Sequence, residues 1–345
     1  MIEKNIEIFK EENPTLESYW RSIILFGRNV ASYKFALAQS LIDLSQSDKT
    51  HISLDELAVP YSFHICEHLK TAPKQATSAS SVFLNACKDF NEGKISYEQL
   101  IQATVRNGFT YVLDAFHVVN NGAISTRFFE KDFGRGQNGI ILTDNIYELR
   151  ETPFFSNLTK ETESRWNLVE TAWELNISRN LLNVQFDDAQ QILFVDDKLR
   201  RKDVTSARDA LNGYQKGKCF YCYDAIDLNS VSLQCDVDHF FPYTLQGVMP
   251  GINLNGVWNL VLACPSCNRG AAGKFASVPS VKYLERLYKR NEYLISSYHP
   301  LRETLISQTG KTPQERAAFL HAVDKKAINY LIHRWEIPPK GDPTF

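Results

Sequence analysis

Two Cys-x2-Cys pairs, Cys219-Phe-Tyr-Cys222 and Cys264-Pro-Ser-Cys267, constrain this chain more than any other feature. Each pair puts two thiols into one tight turn, and two such turns a few dozen residues apart supply the four soft ligands of a tetrahedral zinc site. The reading assumes a reducing compartment, where paired thiols are metal ligands rather than disulfides. Two observations favour that compartment. The segment Met1 to Pro14 carries Glu3, Lys4, Glu7, Lys10, Glu11 and Glu12 in place of an apolar signal core, and no run of about 18 apolar residues occurs. The expected location is cytoplasmic, with no membrane partner. Of the seven cysteines, Cys66, Cys87 and Cys235 stand alone and read as small buried side chains.

At 345 residues the chain has room for about two domains and does not need a metal merely to hold a core. From Asn13 to roughly Asp197 the apolar periodicity is mainly helical. Phe26, Val30, Tyr33, Leu37, Leu41 and Leu44 follow a 3.6-residue period, which predicts one amphipathic helix with Gly27 near its start. Trp166, Val169 and Trp173 share the face of another. Between them Gly134, Gly136 and Gly139 punctuate a loop before Ile140-Ile141-Leu142, a candidate strand; without a following Lys-Ser/Thr the glycines are weak evidence for phosphate binding. His64 and His68 lie four apart, a metal-ligand spacing, but no carboxylate follows the metalloprotease pattern, so a structural helix face is the better reading. Thr312-Pro313-Gln314-Glu315 is a capping box opening a terminal helix through Leu320, Val323, Ala327 and Leu331.

The residues between and after the knuckles carry chemistry. Asp236-Val-Asp238-His239-Phe-Phe-Pro242 is followed by Trp258-Asn259-Leu-Val-Leu-Ala-Cys264-Pro-Ser-Cys267-Asn268-Arg269-Gly270. Over Tyr214 to Lys274 this order resembles the HNH endonuclease superfamily, the ββα-metal nucleases with an Asp-His-x-x-Pro, Asn-Leu and Cys-x-x-Cys-Asn/His-x-x-Lys pattern. Phosphodiester hydrolysis needs a base for the attacking water and positive charge for the transition state and leaving oxygen. His239, with an unperturbed pKa of about 6.5, suits the base, and Asp238 and Asn268 offer oxygens to a hard cation such as Mg²⁺ or Mn²⁺. The resemblance implies these same roles. It also implies that Asn259 orients the His239 loop, and it leaves Cys219, Cys222, Cys264 and Cys267 to a structural zinc ion. Asp236 reads as a surface carboxylate. After Gly270, Ala271-Ala272-Gly273-Lys274 shifts the family lysine along the chain, which puts the role of Lys274 in doubt.

The formal charge of -2 hides local contrast. Between positions 198 and 218 seven basic residues, including Lys198, Arg200, Arg201 and Lys202, face two acidic ones, a local net of +5. That stretch, together with Arg269 and Lys274, supplies the candidate nucleic-acid contacts. Lys282, Arg286, Lys289 and Arg290 form a second basic helix face, as consistent with a solvated surface as with phosphate. The expected fold is α+β and mostly α. It comprises a helical amino-terminal domain (1–197) of recognition or regulatory role, an HNH unit (198–280) and a helical extension (281–345). The expected partner is double-stranded DNA, with phage defence or restriction as a context and a further protein such as an ATPase as a possible companion. Two alternatives stay open: a noncatalytic zinc module that binds nucleic acid or protein, and an HNH nuclease acting on RNA.

Overall fold

A computed structural model describes residues 14–26, 31–76, 81–119, 122–134, 138–153, 155–174, 184–197, 200–229, 235–296 and 301–343. The chain divides into two compact units, one from Thr15 to Asn176 and one from Ile177 to Phe345 together with Met1–Pro14. The architecture is α+β and predominantly helical.

In the amino-terminal unit α1 (Leu16–Phe26) and α2 (Tyr33–Leu44) are followed by β1 (His51–Ser53), α3 (Leu54–Thr71), α4 (Val82–Asn91), α5 (Tyr97–Asn107) and the single turn α6 (Val112–Ala115). Next come the short pair β2 (Val118–Val119) and β3 (Gly122–Ala123), then β4 (Phe129–Asp132), β5 (Gly139–Leu142), α7 (Asp144–Arg150) and α8 (Phe155–Glu174). The helix expected over Phe26–Leu44 is instead two helices. Ser32 ends the link by donating its N–H to the Gln75 carbonyl (3.0 Å), and α2 is buried from Lys34 through Ile42, so it is not amphipathic. Residues 27–30, Gly27 among them, and Gly136 lie outside the described residues.

The expected strand at Ile140 is β5, the centre of an antiparallel β1-β5-β4 sheet. Ile140 and Leu142 face the core and Ile141 faces outward. Gly139 serves this packing: a Cβ there would lie 2.3 Å from the Ile52 carbonyl oxygen of β1. The core is aromatic, with Trp20, Phe35, Tyr61, Phe83, Phe116, Phe128 and Trp166 all buried.

His64 and His68 share no ligand. His64 Nε2 meets Asp43 Oδ2 at 2.7 Å, while His68 stacks on Trp166 (3.5 Å between ring centres) and bonds Glu170 through Nδ1 (2.7 Å) and Glu163 through Nε2 (3.2 Å). Burial alone would push the imidazole down, but the two carboxylates outweigh it and hold His68 up to about 9. A group raised on folding stabilises fully below its unfolded pKa of about 6.5, and that contribution is lost as pH rises through the folded value. The amino-terminal unit is therefore expected to lose up to about 3 kcal/mol between pH 6.5 and 9. Urea unfolding across that range, with His68→Leu as the pH-flat control, checks it.

The carboxy-terminal unit opens with an antiparallel sheet of β6 (Val184–Asp187), β7 (Ile192–Asp197) and β8 (Arg200–Ser206), then α9 (Ala207–Tyr214). The site hairpin is β9 (Asp236–His239) against β10 (Leu260–Ala263), leading into the one-turn α10 (Pro265–Asn268). After it come β11 (Val278–Pro279), α11 (Val281–Ser296), α12 (Arg302–Thr309), α13 (Pro313–Leu331) and β12 (Arg334–Trp335), with β11 and β12 paired in parallel. Helix α13 starts at the expected Thr312 and Glu315 capping box.

One three-stranded sheet spans positions 197 and 198, and side chains of α11 reach back across positions 280 and 281. The unit begins near Ile177 and keeps the extension as part of its body. The basic face expected on α11 turns partly inward for the same reason. Arg290 is wholly buried, giving Nη1 to the Leu260 carbonyl (2.5 Å) and Nη2 to the Trp258 carbonyl (3.3 Å), and Arg286 Nη1 bonds the carbonyls of Phe220 and Tyr221. Desolvation lowers Arg290 to about 9. No helix among the described residues is long and apolar enough to cross a membrane.

Candidate metal centre and active site

The four cysteines of the two knuckles converge. Their sulfurs all lie within 4.8 Å of one another, and Cys222 Sγ stands 3.7 Å from Cys264 Sγ. A tetrahedral metal with bonds of about 2.3 Å sets its sulfurs about 3.8 Å apart, so the cage has the size of a structural zinc-type site. All four side chains are buried, and this is the one such cluster among the described residues.

Local backbone builds the cage. The first knuckle is closed by Tyr223 N–H to the Cys219 carbonyl (3.1 Å) and Cys219 N–H to the Asp224 carbonyl (2.8 Å), and Phe220 N–H ties it to Leu262 of β10 (2.9 Å). The second is the first turn of α10, where Pro265 at the opening position suits its fixed φ. Cys264 N–H points at Cys219 Sγ (3.4 Å), which favours a thiolate there. The tail closes over the first knuckle: Lys340 and Gly341 both donate to the Cys222 carbonyl (2.8 and 3.1 Å). A Cβ on Gly341 would lie 2.3 Å from the Tyr223 carbonyl oxygen, so only glycine permits that approach.

Among themselves the thiols share protons unevenly. Hydrogen bonding with Cys219 lowers Cys222 and Cys264 and raises Cys267, while bonding with Cys222 raises Cys219. A dication held by the four sulfurs would favour all four thiolates together. Cys66, Cys87 and Cys235 are buried thiols outside the cluster, and burial pushes Cys235 up to about 11.

From the cage the hairpin carries the other candidates. Consecutive residues of an extended strand point to opposite faces, so Asp236 and Asp238 share one side of β9 and His239 takes the other. On the first side Asp238 is buried with one donor on each oxygen. Tyr221 donates its hydroxyl to Oδ2 (2.6 Å), and Lys274 Nζ donates to Oδ1 (3.0 Å) and to the His239 carbonyl (2.9 Å). Burial, with the Asp238 charge beside it, raises Tyr221 well above the usual phenol range and keeps it a donor.

Lys274 has no exposed surface, which removes it from the nucleic-acid contacts expected of it. The glycine-bounded loop from Gly270 to Gly273 doubles back, and its bonds Lys274 N–H to the Cys267 carbonyl and Phe275 N–H to the Asn268 carbonyl deliver the shifted lysine to β9. Asn268 gives Nδ2 to Asp236 (3.0 Å), and Arg269 clamps the same carboxylate through Nε (2.8 Å) and Nη2 (3.2 Å). Asp236 is thus not a plain surface group. It is the carboxylate that stands beside Asn268.

These contacts do not fit the divalent ion expected on Asp238 and Asn268. Both oxygens of Asp238 already hold donors, one of them a full positive charge, and the Asn268 amide addresses a different carboxylate.

On the opposite face His239 is 9% exposed, its ring 5.8 Å from that of Phe186 on β6 and 5.5 Å from that of Tyr243. Its Nε2 lies 2.8 Å from Oδ1 of Asn255, a residue the sequence pattern did not single out. Asn259, buried in the next turn, accepts from Phe241 N–H (2.8 Å) and donates to the carbonyls of Phe241 (2.9 Å) and Leu254 (2.8 Å), pinning both ends of the loop that follows His239.

Of the basic stretch, Lys198 lies outside the described residues, as do the side chains of Arg200, Arg201 and Lys202 on β8. The strand register sets Asp197 opposite Arg200 and Asp196 opposite Arg201, so acidic positions accompany that band. Compared with protein-family models, curated proteins and solved structures, the chain matches none.

Proposed function

We propose that this protein is a nuclease of the HNH type, a phosphodiester hydrolase with His239 as the base and double-stranded DNA as substrate. The observation that supports the reading is the ordered unit of β9, β10 and α10 carrying Asp238, His239, Asn259 and Asn268 between two cysteine knuckles that close into one metal-sized cage. The cage staples a hairpin too short to be stable by itself, and His239 sits at the end of the stapled strand beside an exposed Tyr243. A neutral imidazole there accepts the proton of the attacking water, while Lys274 and Asn259 hold its backbone and loop in place.

Mg²⁺ or Mn²⁺ at Asp238 and Asn268 is the expectation from resemblance. Each oxygen of Asp238 already accepts one donor, one of them the Lys274 ammonium, so no step is assigned to such an ion. The pairing of Asp238 with the Lys274 ammonium favours a second reading, a noncatalytic zinc module that binds nucleic acid or a partner protein.

Incubating the zinc-loaded protein with matched DNA and RNA duplexes, with and without Mg²⁺, separates these readings. Cleavage of the DNA duplex is the expected result. Cleavage of RNA alone changes the substrate, and binding without cleavage of either leaves the zinc module.

A further inference from the structure

We infer that Asn255 is a positioning residue that fixes His239 as its Nε2–H tautomer and so makes Nδ1 the basic nitrogen. The catalytic half of this inference rests on the nuclease reading; the tautomer half does not. The side-chain oxygen of Asn255 can only accept, so at 2.8 Å the ring nitrogen facing it must carry the proton. A neutral imidazole has one such proton, and its lone pair is then on Nδ1.

The loop is built to keep that oxygen in place. Leu254, the preceding residue, is held on both sides: its N–H bonds Gln246 Oε1 (2.8 Å), and its carbonyl takes Asn259 Nδ2 (2.8 Å). The Asn255 N–H bonds Asn253 Oδ1 (3.0 Å), and Gly256 bridges to Gln185 of β6. The same strand brings Phe186 toward the ring, so both the imidazole and its acceptor are set by packed elements. An acceptor offered by such a frame costs little reorganisation when the base works.

The test uses the full zinc-loaded chain with ¹⁵N-labelled histidine, the His239 signals being identified by their loss in His239→Ala. Wild type is expected to show a protonated Nε2 and an unprotonated Nδ1 in the neutral ring. Asn255→Asp keeps an acceptor of the same shape and should keep that tautomer; Asn255→Leu removes it and should give a mixture, with zinc content unchanged as the check on folding. On DNA, Asn255→Leu should lower kcat about 10- to 100-fold with KM within about twofold. An unprotonated Nε2 in wild type, or the same tautomer in Asn255→Leu, overturns the inference. The expected tautomer pattern without any His239-dependent cleavage supports the positioning role and overturns the nuclease reading instead.

Discussion

Replacing Cys264 with serine is expected to abolish stoichiometric zinc and to destabilise the carboxy-terminal unit by several kcal/mol, making it far more open to proteolysis than the amino-terminal unit. Cys264 touches every part of the cage: its sulfur stands 3.7 Å from that of Cys222, its N–H points at Cys219, and it joins β10 to α10. Without the metal, the two four-residue strands and the helical turn keep only packing and the hydrogen bonds that Gln215, Phe220 and Arg290 make to β10. Zinc binding in such sites contributes on the order of 10 kcal/mol, comparable to the whole stability of a domain. The amino-terminal unit has its own aromatic core. Metal analysis of the purified variant, followed by limited proteolysis, checks this. The expected product is a resistant fragment covering about residues 15–176. A variant that keeps one zinc per chain and resists proteolysis throughout would contradict the role given to the cage.

Lys274→Met carries the second large effect. Lys274 and Asp238 have side chains 1% and 7% exposed, and each gives the other a charged partner in a dry setting. Removing the ammonium leaves a buried carboxylate with only the Tyr221 hydroxyl, a loss expected to cost about 3–5 kcal/mol. It also releases the His239 carbonyl. Neutralising the partner should return most of that cost, so Lys274→Met with Asp238→Asn is expected to unfold within about 1–2 kcal/mol of wild type. Urea unfolding followed by tryptophan fluorescence measures both. Equal stability of the single and double variants would mean that the pair is not coupled.

What the sequence made readable follows from how local each feature is. A Cys-x2-Cys turn is set by four residues, so its spacing announced the cage. Capping chemistry is equally local, which is why Thr312 and Glu315 marked the start of α13 correctly. Contacts across many residues left no such mark. Arg290 reads as a surface cation by spacing, yet 30 residues away the Leu260 carbonyl takes its guanidinium inside.

Periodicity misled over Phe26–Leu44 because α2 is buried nearly all round and carries no true amphipathic stripe. Lys274 stood out as a departure from the family spacing, but only the return of the Gly270–Gly273 loop explains it. Asn255 had one faint signal, the turn-forming Asn253-Leu-Asn255-Gly256 run, and nothing in that run says which side chain faces a histidine sixteen residues earlier.

Cleavage of supercoiled plasmid by wild type and by His239→Ala tests the central claim most directly. With both proteins zinc-loaded and supplied with Mg²⁺, wild type should convert supercoiled DNA to nicked circles before linear product, since one active site cuts one strand. His239→Ala should be slower by at least about 100-fold, the loss expected when a general base is removed. Equal rates of nicking by the two proteins would contradict the assignment of His239 as the base, and with it the HNH-type mechanism.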